Sequence, residues 1–227
     1  MKKTFTVTAL VLLAVSCNRY LDIKPYGQTI PETAEEFSAL LHAHLDEIDY
    51  GEEVVMGDGL EMADLECYAD NLAANLTQYH GGNYISLYIG EQLSAKQTLY
   101  THLYAVIRDC NIIIGYLEDR SSRLGMDVLG TAYALRGICY YNLLRNFCQA
   151  CNPDNPGPGV PLVTEFDMEA KPTRSTYNQT VKRIEEDLNK AIEYDIQDEI
   201  YRFNSDVAKG YLARLYFWTQ QYRLAAQ

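Results

Sequence analysis

Residues 129–147 form the longest helix-compatible run beyond the leader, and its lack of a polar face is the feature that most constrains the fold. On a helix, Ala132, Leu135, Cys139 and Leu143 lie on one side, while Tyr133, Tyr140, Leu144 and Phe147 cover another. A helix that is apolar on most sides is buried between neighbours rather than laid on a surface. Gly137 weakens an isolated helix, yet with Ala132 and Ala134 it lets another helix backbone come close. Both properties point to a mostly α fold of stacked helical hairpins. Pro153, Pro156 and Pro158, with Gly157 and Gly159, then stop the run, so this scaffold carries a long rigid loop over 146–159.

Further helices follow from periodicity. Residues 31–45 open with proline and acids, and Ala34, Phe37, Leu40, Leu41 and Leu45 keep helical spacing. His42 and His44 are two apart and diverge on that helix, which argues against a shared metal and for solvated positions. Over 94–117, Leu99, Leu103, Val106, Cys110, Ile113 and Leu117 mark one face of a long helix, expected to pair with 129–147. The last run, 205–227, opens on Ser205 as a cap and repeats the small and aromatic pattern of 134–140. It is similar to a tetratricopeptide helix followed by the start of its partner. It stops mid-pattern, without a C-cap, which predicts a continuation. The predicted class is therefore mostly α, tetratricopeptide-like, with long irregular loops.

Residues 1–16 carry two lysines, an apolar core too short to span a bilayer and then small residues, as an export signal does. Cys17 follows directly and resembles the acylated cysteine of a bacterial lipoprotein, although Ala14 stands where that motif prefers leucine. Its thiol would carry the lipid, palmitate or a similar chain, and several chains on one residue suffice for stable anchoring. Residues 17–28 read as an extended tether, leaving 29–227 as the helical domain. The formal net charge of −12 makes nucleic acid and anionic membrane surfaces poor partners.

The 62–92 stretch fits either a helix or an irregular segment. Within it, Tyr79, Tyr84 and Tyr88 accompany Gln78, His80 and Asn83 around a Gly81, Gly82 break. Aromatic faces suit the apolar face of a pyranose, and neutral amides suit its hydroxyls, so Tyr79, Asn83, Tyr84 and Tyr88 are the candidate ligand residues. An ordinary loop has the same composition. Cys148 and Cys151 have the spacing of a redox pair or half a zinc site, and either a disulfide or free thiols suits them. No nucleophile elbow, paired-histidine metal motif or phosphate loop occurs, and no two carboxylates stand out as a glycosidase pair. No cofactor, metal or catalytic residue is expected.

Several motifs resemble the SusD/RagB family of surface nutrient-binding lipoproteins. Cys17, Tyr20, Leu21, Asp22 and Pro25 are similar to its opening. Tyr104, Ile107 and Asn111 resemble its early helix, with Asn111 read as structural. Leu135, Arg136, Tyr140, Tyr141 and Leu143, then Gly159, Val160, Pro161 and Leu162, follow in the family's order. Arg174 and Thr176 lead into Ile184, Asp187, Leu188 and Ala191 in the same manner. The resemblance covers 17–227. It implies a non-catalytic lipoprotein on the outer membrane, passing oligosaccharide to a SusC-type TonB-dependent transporter. Peptide capture within the family, a glycoside hydrolase and a periplasmic helical-repeat adaptor are the rival readings.

Overall fold

The computed structural model describes residues 31–45, 97–167, 169–196 and 203–227. Every element described here falls within Glu32–Gln227. In order these are α1 (Ala34–Leu45), α2 (Gln97–Tyr116), α3 (Arg123–Phe147), β1 (Pro158–Pro161), β2 (Arg174–Thr176), α4 (Tyr177–Tyr194), α5 (Ser205–Trp218) and α6 (Tyr222–Ala225). The fold is mostly helical, with successive helices packed on one another. No described helix is long and apolar enough to cross a membrane.

At the centre lies α3, which is buried over most of its length, as its all-round apolar sequence requires. It packs most extensively on α4 and next on α2. Leu99, Leu103, Val106, Cys110 and Ile113 are all buried, as is Leu117 just past the helix end, so the spacing read from the sequence is the face α2 turns inward. Gly137 permits a close approach as expected, and the visitor is α4: a Cβ at Gly137 would sit 3.0 Å from Leu188 Cγ and 3.3 Å from Asp187 Cβ.

Helix starts depart from the sequence reading where caps decide them. α3 begins at Arg123 rather than near Leu129, because Ser122 Oγ accepts from Gly125 N at 3.0 Å and Arg123 pairs with the buried Asp127. Neither interaction shows in apolar periodicity. Likewise α5 is capped by Asn204, whose Oδ1 accepts from Asp206 N at 3.1 Å and Val207 N at 3.0 Å, so Ser205 is not the cap. A capping box starts α4: Thr176 Oγ1 accepts from Gln179 N at 3.2 Å and Gln179 Oε1 accepts from Thr176 N at 2.9 Å.

His44 is also a correction. It is not solvated but half-buried, with Nε2 3.0 Å from Asp109 Oδ2, and so ties α1 to α2. Arg108 Nε donates to the other carboxylate oxygen at 2.7 Å. Burial alone would raise the Asp109 carboxyl, but the bonds from His44 and Arg108 outweigh it and hold the group below the ordinary carboxylate range. A carboxylate depressed by folding contributes stability that is present above its unfolded value, near ~4, and is lost as pH falls through the lower folded value. In urea unfolding at stepped pH, the stability gap between the native chain and Asp109→Asn is therefore predicted to be widest near neutrality and to close below about pH 4. A gap that stays constant down to the acid limit would show that the charge contributes nothing.

Candidate functional site

The site is built outward from a buried ion pair. Arg136 and Asp187 are 3% and 1% exposed, and two hydrogen bonds join them: Nη2 to Oδ1 at 2.6 Å and Nε to Oδ2 at 2.9 Å. Arg136 Nη1 donates to Asn111 Oδ1 at 2.7 Å. Burial opposes the Arg136 charge, but the Asp187 bonds outweigh it and hold the guanidinium above its ordinary range. Asn111 is structural, as read from the sequence: its Nδ2 donates to Val163 O at 2.9 Å.

These side chains hold the irregular stretch after β1. Tyr104 OH donates to Pro161 O at 2.7 Å, and Tyr140 OH is 2.7 Å from both Val163 O and Val163 N. Burial pushes the Tyr140 hydroxyl well above its ordinary range, so it remains a neutral donor and acceptor. Main-chain groups outside regular structure need such partners when they are covered. Here α2 and α3 supply them, which explains why aromatic and amide residues interrupt otherwise apolar helices.

The strands come next. β1 and β2 form an antiparallel pair with an irregularity between Pro158 and Pro161. The prolines and glycines of 146–159 predict a loop through 159, but Pro158–Pro161 is a strand. Short prolyl strands of this kind lack any alternating pattern, which is why periodicity misses them. Gly159 is required at the crossing, since a Cβ there would lie 2.4 Å from Thr176 O. Ser175 Oγ donates to Val160 O at 2.7 Å, and Val160 N donates to Thr180 Oγ1 at 3.2 Å, fastening the pair to α4. Arg174 Nε donates to Gly159 O at 2.7 Å and Nη2 to Phe147 O at 3.1 Å.

Between this pair and the first turns of α4 opens a polar cleft of about 530 Å³. Leu162, Thr173, Arg174 and Ser175 form one wall, and Gln179, Lys182, Arg183 and Glu186 the other. Arg183 Nη2 lies 3.1 Å from Glu186 Oε2 and Lys182 Nζ 3.8 Å from Glu186 Oε1. Of these residues the sequence marks Leu162 and Arg174 only as family-like motif positions, and it marks none of them as the lining of a cleft. The available signal was the capping box at Thr176 and Gln179, which fixes the start of α4 and thereby puts 179, 182, 183 and 186 on one side.

Of the residues singled out from the sequence, Cys17, Tyr79, Asn83, Tyr84 and Tyr88 lie outside the described residues. Cys148 and Cys151 are both free thiols. Burial raises the Cys148 thiol, against a smaller opposing effect of Arg174.

Among the described residues, fold and site together define a mostly helical scaffold in which side chains hold an irregular stretch in place. The chain belongs to the SusD-like family described as starch-binding and associating with the outer membrane, whose model matches residues 19–217. Solved structures share the fold. A SusD superfamily protein from Bacteroides vulgatus superposes with a TM-score of 0.63 at 19% identity, over 86% of this chain and 45% of its own. A SusD-like carbohydrate binding protein from the same organism gives 0.61 at 18% identity, over 86% and 43%. A SusD superfamily protein from Bacteroides thetaiotaomicron gives 0.53 at 19%, over 87% and 46%. The chain thus spans less than half the length of each of these relatives. No curated protein matches it.

Proposed function

We propose that this chain serves a lipid-anchored surface protein that binds oligosaccharide outside the cell, does no chemistry on it and passes it to a SusC-type TonB-dependent transporter. The observation that carries this reading is membership, over 19–217, of a family described as starch-binding and associating with the outer membrane. A solved protein of the same fold is named as carbohydrate binding, which agrees with it.

The sequence supplies the means at both ends of the task. Residues 1–16 direct export, and Cys17 takes the acyl chains that hold the protein at the membrane. Tyr79, Tyr84 and Tyr88 offer aromatic faces to sugar rings, and Asn83 offers an amide to hydroxyls.

Two experiments test the reading. Calorimetry with a series of starch-derived oligosaccharides is predicted to show binding without turnover, and Tyr84→Ala with Tyr88→Ala to weaken it by roughly one to a few kcal/mol, as aromatic hot spots do. Unchanged affinity would move the site elsewhere, and release of shorter sugars would make the protein a hydrolase. For the anchor, radiolabelled fatty acid is expected in the native chain and absent from Cys17→Ala. A label that persists in the variant contradicts lipidation at this residue.

A further inference from the structure

We infer that the cleft between the strand pair and α4 is a subsite for a negatively charged sugar, of the uronic-acid class, within the glycan-binding role proposed above, on which this inference rests. Three cations and one carboxylate line it: Arg174, Lys182 and Arg183 against Glu186. That balance runs opposite to the chain as a whole, whose formal net charge is −12. An anion approaching such a protein is repelled except where local positive charge dominates, and at physiological salt that region reaches only about 8 Å. A concave cationic site in an acidic chain is therefore selective by position.

The two faces of the cleft contribute differently. Among the described residues, Arg174 directs its donors to the main-chain carbonyls of Gly159 and Phe147, so its position is fixed while its charge remains uncompensated by a carboxylate. On the facing wall Arg183 shares Glu186 with Lys182, and its Nη1 lies 3.6 Å from Asp187 Oδ1. Asp187 is already held by both bonds to Arg136. One N–H of Arg183, at Nε, is covered and has no acceptor. The outer nitrogens, Nη1 and Nη2, carry two N–H groups each, and a guanidinium meets a carboxylate with two parallel hydrogen bonds. Lys182 is 74% exposed and supplies a mobile point charge at the rim.

Size and lining support a sugar rather than a bare ion. About 530 Å³ falls among small-molecule sites, on the order of 300–1,000 Å³. Thr173 and Ser175 add hydroxyls, and none of the described lining residues is aromatic. Recognition here must then work through charge and hydrogen bonds, whereas the tyrosine stretch at 79–88 works through stacking. The subsite complements that stretch rather than repeating it.

The test compares trigalacturonate with its fully methyl-esterified form, which has the same rings and no charge, and with a neutral starch-derived oligosaccharide. Calorimetry on the full chain is run at low and moderate salt, with melting curves as the folding control. The acid is expected to bind at least 5-fold more tightly than its ester and to weaken as salt rises. Lys182→Glu should reduce acid binding by at least 5-fold, and Arg183→Lys, which keeps the charge but loses the two-pronged geometry, by a smaller factor. Both variants should leave the neutral oligosaccharide unaffected. Equal binding of acid and ester, or acid binding indifferent to both variants while they melt like the native chain, overturns the subsite. Neutral binding with no acid binding overturns the subsite alone, and failure of all three sugars to bind overturns the glycan reading as well.

Discussion

The architecture depends on one buried ion pair, Arg136 with Asp187. Removing two such groups from water costs several kcal/mol each, and only good geometry with further hydrogen bonds offsets it. The geometry is good, with two parallel bonds, and Asn111 takes a further Arg136 donor. Asp187 sits on α4 and Arg136 on α3, so the pair forms only when these helices lie in contact at one register. Gly137, the next residue along α3, permits that contact, because a side chain there would press on Leu188 and Asp187. Charge and space thus specify the same packing.

From this pair the structure extends outward through polar atoms. Asn111 carries the network to Val163, Tyr140 holds the same residue from α3, and Tyr104 holds Pro161. A stretch without regular hydrogen bonding is in this way fixed between helices, and Leu162 within it becomes a wall of the cleft. The opposite wall is α4, one turn before Asp187, where Arg183 approaches the same carboxylate. Cleft and buried pair share an element, so the spacing of the cleft's charges is inherited from the core.

Much of this could be read from the chain. The absence of a polar face on 129–147 gave the central buried helix, and the spacing from Leu99 to Leu117 gave the inward face of α2. The structural role of Asn111 was legible as well. Periodicity reports burial, however, not polar partners. It could not show that Ser122 and Arg123 with Asp127 carry α3 back to residue 123, that Asn204 rather than Ser205 caps α5, or that His44 meets Asp109. Those depend on a single side chain reaching a single group. The strand pair was hidden for another reason: Pro158 to Pro161 is ordered by Ser175, Thr180 and Arg174, which are distant in sequence. The cationic cleft arises from the same pairing, and a charge count over the whole chain conceals it.

Urea unfolding of a double-mutant cycle, Arg136→Met, Asp187→Leu and the two combined, tests the central claim most directly. Breaking a buried pair from either side leaves a buried charge without its main partner, with only the more distant Arg183 beside Asp187, so each single change is expected to cost about 3–5 kcal/mol. The double variant, with both charges gone, should lose far less than the sum, giving a coupling of about 2 kcal/mol or more. Two single costs that simply add would contradict the claim that this pair joins the helices and holds the site.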